Sequence, residues 1–312
     1  LREYYAMMEY HLGWQENGTA GQRSPAGGKR LRPLLCLLAC SASGGDWQSA
    51  LPMAAAIELL HNFSLIHDDI QDNSPVRRGQ PAVWVRWGEA QAINAGDALF
   101  TLAHLAPHRL LARGVEPALA LRALGEFDRT CLRLTQGQYF DMSFERRERV
   151  SVAEYLDMIE AKTAVLIAAS ARLGALLAGG DEARADHFGR YGRSVGLAFQ
   201  IQDDLLGIWG DPSVTGKSAA SDLEKRKKSL PVVYGLERSE QFAREYARPH
   251  RAGESVAELA QALEGLGARE YAQRQMLALM SDALRQLQAA APEGEAALAL
   301  RELTDTLLNR RA

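Results

Sequence analysis

Apolar residues recur at three- and four-residue spacing over long windows of the chain, and alternating runs of Val, Ile and Thr are hard to find. That period reads as helix, and the apolar residues are mostly Ala and Leu, which favour it. Ser151 with Glu154, and Ser255 with Glu258, fit the box in which a serine caps the third amide and a glutamate reaches back. Gly44-Gly45-Asp46 and Gly179-Gly180-Asp181 each read as a glycine terminator followed by an acidic cap for the next helix. These marks predict helices near 2–16, 30–43, 47–68, 86–105, 116–141, 151–178, 182–208, 221–237, 255–266, 268–290 and 294–309, with longer irregular segments at 17–28, 73–85 and 209–219. The expected fold is all-α, in a single domain over 1–312, because no linker, repeat or composition shift divides the chain.

Charge narrows the picture. Across 312 residues the formal net charge is only −3, which argues against a protein that grips nucleic acid or an anionic membrane through bulk positive potential. Phosphate binding, if present, must be local. The three cysteines, Cys36, Cys40 and Cys131, form no disulfide framework, and Cys36 and Cys40 sit four apart on an apolar helix as core residues do. The apolar stretches 31–40 and 164–180 are short or interrupted by Arg172, so no transmembrane segment is expected. The expectation is a cytoplasmic protein whose natural start precedes Leu1.

The chemistry gathers at two acidic clusters. His67-Asp68-Asp69-Ile70-Gln71-Asp72 ends an apolar run, and a helix puts Asp68 and Asp72 on one face, one turn apart. Gln200-Ile201-Gln202-Asp203-Asp204 ends another, with Asp211 beyond it. Paired carboxylates at helix C-termini are unfavourable for the helix dipole, and hard oxygen ligands so placed suit Mg²⁺. Either pair alone reads equally well as a solvated helix end; both together, each leading into a long loop, point to metal. The basic counterparts are also local. Gly27-Gly28-Lys29-Arg30-Leu31-Arg32-Pro33 opens a helix with Lys29 and Arg32 on one face, but lacks the nucleotide-triphosphate loop pattern. Arg77-Arg78-Gly79 follows the first acidic cluster, and Lys217 and Lys225-Arg226-Lys227-Lys228 follow the second, which suggests anions bridged by metal.

The segments Gly27–Pro33, Leu65–Asp72 with Arg77-Arg78-Gly79, Lys162-Thr163, Phe199–Asp204, Gly216-Lys217 and Lys227-Lys-Ser-Leu-Pro231 occur in that order. So arranged, they resemble the motifs of the trans-isoprenyl diphosphate synthases across nearly the whole chain. The resemblance implies an antiparallel α-helical bundle around a deep central cavity, usually a homodimer. It also implies condensation of an allylic diphosphate with isopentenyl diphosphate through an allylic carbocation. Asp68 and Asp72 would bind two Mg²⁺ ions and Asp203 a third, with Asp69 and Asp204 in support, all clamping the allylic diphosphate. Arg77, Lys162, Lys217 and Lys227 would contact that diphosphate; Lys29, Arg32, His61 and Arg78 match positions that hold isopentenyl diphosphate. Thr163 and Gln200 match the neutral acceptors a carbocation needs, since an anion would be alkylated.

One position departs from the family pattern: where the second motif usually ends in Asp, this chain has Gly207, with Asp211 or water expected to compensate. Product length in such enzymes depends on what blocks the cavity below the first motif. Phe63 and Ser64 lie five and four residues before Asp68, deeper on the same helix, and an aromatic floor at Phe63 alone resembles geranylgeranyl synthases. C20 is therefore the expected product, with C15 next; Phe63 equally reads as an ordinary core residue. A terpene cyclase shares the first motif but needs no second diphosphate site, so Lys29 and Arg32 count against it.

Overall fold

The computed structural model describes residues 1–14, 30–211, 221–248 and 256–308. Lys29, Lys217 and the predicted Ser255 cap lie outside them. The described chain is almost entirely helical. In order it forms α1 (Arg2–His11), α2 (Leu31–Ala42), α3 (Leu51–Gln71), α4 (Val83–Trp87), α5 (Glu89–Leu105), α6 (Pro117–Glu145), α7 (Val152–Ile159), α8 (Val165–Leu177), α9 (Glu182–Trp209), α10 (Ser221–Glu224), α11 (Leu230–Arg238), α12 (Glu240–Tyr246), α13 (Ala257–Gly265), α14 (Ala268–Ala289) and α15 (Gly294–Leu308). A two-residue antiparallel ladder, β1 (Val76–Arg77) with β2 (Gln80–Pro81), follows α3.

The predicted caps set the boundaries where they can be seen. Ser151 Oγ accepts from the Glu154 amide at 3.2 Å while Glu154 Oε2 accepts from the Ser151 amide at 2.8 Å, closing the box at the start of α7. Asp181 caps α9 through the Arg184 amide at 3.1 Å. Differences from the predicted elements have local causes. The helix predicted over 86–105 is two, parted at Gly88. That predicted over 221–237 divides into α10 and α11, with Pro231 in the first turn of α11. The predicted 73–85 loop contains the hairpin and the start of α4, and α12 falls where no helix was expected.

α8 and α9 pack together, α9 packs on α14, α2 on α8 and α3 on α5, around a main core that includes Ile57, Leu60, Phe127, Leu173 and Phe188. The short connection between α8 and α9 makes that pair antiparallel. Gly192 and Gly196 let α9 approach α8 closely: a Cβ at 192 would lie 2.7 Å from the Ile167 carbonyl oxygen. The three cysteines are buried and unbridged. Among the described residues no helix is long and apolar enough to cross a membrane.

Candidate active site

A cavity of about 550 Å³ opens between α3, α6, α8 and α9, and most of the predicted residues line it. Arg32, His61, Phe63, Ser64, Asp68, Arg77, Lys162, Thr163, Gln200 and Asp203 all do. Their chain separation is large; the bundle brings them together.

At the first acidic cluster α3 runs to Gln71, so the predicted one-turn relation holds: the Asp72 amide donates to the Asp68 carbonyl at 2.8 Å. Asp68 lines the cavity and Asp72, the C-cap residue, is exposed. Burial pushes the Asp68 carboxyl up to about 6 against the pull of Lys162, and Asp72 adds to the rise. Two carboxylates so crowded, one costly to ionise, fit a divalent cation, which supplies the missing positive charge.

Asp69 has a different setting from its neighbours. Its side chain is only 1% exposed, and its Oδ1 accepts from Arg77 Nε at 2.9 Å and Nη2 at 2.5 Å. This pairing holds Arg77 at the cavity wall.

Lys162 and Thr163 sit on a single π turn, Glu160–Ala164, inserted between α7 and α8. Such bulges concentrate at functional sites because they re-aim side chains. The turn fits against α6 only because residue 137 is glycine, where a Cβ would lie 2.3 Å from the Lys162 amide nitrogen. Lys162 Nζ donates to Asp141 Oδ2 at 2.5 Å. Burial works to lower its ammonium, but Asp141, Asp68 and Asp72 hold it above the usual lysine range, so it stays charged.

At the second cluster Asp203 faces the cavity while Asp204 turns away from it, with no exposed surface. Asp204 accepts from Tyr155 Oη at 2.5 Å, from the Leu230 amide at 3.0 Å and from Gln200 Nε2 at 3.1 Å. These bonds tie its carboxylate to protein partners. They also orient Gln200. Because a carboxylate accepts, the amide nitrogen of Gln200 faces Asp204, and its oxygen takes the Thr163 hydroxyl at 2.9 Å. Burial raises the Asp204 carboxyl to about 6. Partial desolvation lowers the Lys227 ammonium, and the field of Asp204, Asp222, Asp141 and Asp203 more than reverses it. Lys227 does not line the cavity itself.

Gly207 has a steric explanation. A Cβ there would lie 2.3 Å from Asp222 Oδ2, so a carboxylate of α10 lies against the departed position.

Arg32 Nη1 donates to His61 Nε2 at 3.2 Å, and burial lowers His61 well below the usual imidazole range, with Arg32 and Arg78 adding to the effect. His61 is therefore a neutral acceptor. Arg78 lines a smaller adjoining cleft that shares Arg77 with the main cavity.

The polyprenyl synthetase family profile matches residues 19–266. The chain belongs to that family. Among curated relatives, a (2E,6E)-farnesyl diphosphate synthase of Mycobacterium tuberculosis is 47% identical over 230 residues, 73% of this chain and 62% of its own length. A geranylgeranyl diphosphate synthase of the same organism is 43% identical over 253 residues, 81% of this chain and 71% of its own. The match thus spans less than two thirds of the first relative. The crystal structure of a polyprenyl synthetase from Streptomyces coelicolor A3(2), 37% identical, superposes with a TM-score of 0.88 over 99% of this chain and 93% of that one. The all-α isoprenoid synthase fold follows.

Within this polyprenyl synthetase, sequence reading missed Asp141, which pins Lys162, and Gln138, which donates to Gln71 at 2.7 Å across the cavity wall. It also missed the aromatic series below Phe63. Phe63 and Phe100 rings lie 4.9 Å apart, Phe100 and His104 4.4 Å, His104 and Phe127 5.4 Å.

Proposed function

We propose that the protein is a Mg²⁺-dependent prenyltransferase that condenses an allylic diphosphate with isopentenyl diphosphate, with C20 geranylgeranyl diphosphate as main product and C15 farnesyl diphosphate next. The observation that carries this reading is the joint lining of one cavity by Asp68, Asp203, Lys162, Thr163 and Gln200 above Phe63, with Arg32 and His61 on the same wall.

Asp68, Asp72 and Asp203 would hold the Mg²⁺ ions, three in this reading, and bound Mg²⁺ supplies the positive charge that makes diphosphate a leaving group. Lys162 and Arg77 bind and orient that diphosphate. The Gln200 oxygen and Thr163 hydroxyl present the negative ends of neutral dipoles to a developing carbocation, already oriented by Asp204. His61 and Arg32 hold the second diphosphate, and Asp69 and Asp204 position the groups that touch substrate. Lys29, Lys217 and Lys227 remain proposed diphosphate contacts.

A single protein unit acting as a homodimer completes the reading. Leu121, Leu132 and Tyr139 of α6 are 70%, 61% and 69% exposed, a row of large apolar side chains that a second copy would cover. Light scattering on the purified protein checks the dimer. The decisive assay supplies Mg²⁺, isopentenyl diphosphate and each of the C5, C10 and C15 allylic diphosphates, and sizes the products. Absence of turnover that needs both metal and isopentenyl diphosphate would refute the synthase reading. Phe63→Ala should lengthen the products; an unaltered spectrum rules out a floor at that position.

A further inference from the structure

The N-terminal helix reaches the basic wall of the site. Tyr10 Oη donates to the Pro81 carbonyl of β2 at 2.9 Å, and the Arg86 guanidinium lies 4.6 Å from the Tyr10 ring centre, so α1 is fastened to the hairpin that carries Arg77 and Arg78. The next residue, His11, is 6% exposed. Its carbonyl accepts from Arg78 Nη1 at 3.4 Å, and Arg78 Nη2 reaches Asn62 Oδ1 at 3.5 Å. The His11 ring lies within the fields of Arg78, Arg77 and His61, and lines the cleft with Arg77 and Arg78.

Two buried nitrogens in this cluster have no hydrogen-bond partner: His11 Nε2 and Arg32 Nε. Arginine nitrogens only donate, so the cluster is rich in donors and poor in acceptors, with Glu58 the acidic group that acts on both Arg32 and Arg78. A ligand that satisfies it must bring several acceptor oxygens and negative charge. We propose that His11 is a further binding residue of the isopentenyl diphosphate site, its Nε2–H donating to the diphosphate that Arg32 and Arg78 attract. Burial, with Arg78 and Arg77, pushes the His11 ring down to about 3, so it is neutral and adds a donor without a further positive charge. The proposal rests on the synthase reading above and extends it to α1.

The test is steady-state kinetics of the full chain with each substrate varied in turn. His11→Ala should raise KM for isopentenyl diphosphate at least tenfold, in the range expected for a lost hydrogen bond to a charged group, with KM for the allylic diphosphate unchanged. His11→Gln carries an amide N–H near the place of Nε2 and should stay within about threefold of wild type, whereas His11→Asn, whose amide reaches only the place of Nδ1, should behave as the alanine variant does. Should the alanine variant fail to fold, the Gln and Asn pair decides alone. Equal KM values for that pair, or a rise for the allylic substrate as large as for isopentenyl diphosphate, overturn the role of His11. Inactive wild-type protein would instead strike the synthase reading itself, so the two failures are distinguishable.

Discussion

The two Asp-Asp pairs end helices in the same way and divide their labour in the same way. In each, the first carboxylate lines the cavity and the second is buried on protein partners: Asp68 and Asp203 face the site, Asp69 grips Arg77, and Asp204 grips Tyr155, Gln200 and the Leu230 amide. They part at the third position. α3 supplies Asp72 from its own next turn, while α9 has Gly207, whose missing side chain leaves room for the Asp222 carboxylate of α10. An acidic pair is thus two roles in adjacent residues, one aimed at the cavity and one at the scaffold.

The largest effect should separate the two roles at the first pair. Asp68→Ala is expected to lower turnover by at least 10²–10³-fold with little change in the urea midpoint, because the group faces the cavity rather than the core. At the second pair the contrast should invert between neighbours. Asp204→Asn places its amide nitrogen against a donor whichever way it turns, Gln200 Nε2 on one side or the Tyr155 hydroxyl and Leu230 amide on the other, and should cost about 2–3 kcal/mol of stability by urea titration. Asp203→Asn should leave stability nearly unchanged and raise the Mg²⁺ concentration needed for half-maximal rate. Equal destabilisation by the two would remove the distinction. Restoring the usual pattern with Gly207→Asp should harm rather than help, by about 1–3 kcal/mol, because its Cβ meets Asp222. Removing the obstacle in the double variant with Asp222→Gly should recover part of that loss; unchanged or increased stability of Gly207→Asp alone would contradict this steric account of Gly207.

The smallest effect is one of pH. Asp68, with its carboxyl raised to about 6, must lose a proton before it can ligate a cation. The Mg²⁺ requirement should therefore steepen below about pH 6, by up to tenfold per pH unit, and the acid limb of the rate profile should move to lower pH as Mg²⁺ is raised. An acid limb that ignores Mg²⁺ would assign it to another group.

Helix order and the cavity-facing residues were legible because both rest on local signals: caps, period and carboxylate spacing. The roles of Asp69 and Asp204 were not, since adjacent carboxylates on a helix point about 100° apart and only packing decides which one meets solvent. Asp141, Asp222 and His11 escaped for a related reason. Each acts on a residue from another element, 21 positions away in the Asp141–Lys162 pair, and no periodicity encodes that meeting. The hairpin was unreadable because a two-residue ladder is too short to alternate.

The π turn at Glu160–Ala164 also works as a phase adjuster. Inserting one residue into a helix advances everything after it by roughly 100° without moving its axis far. The chain can thus aim Lys162 and Thr163 inward and still present the apolar face of α8, downstream, in register with α9. A one-residue deletion in this segment would leave every contact residue in place by name and rotate half of them away from their partners.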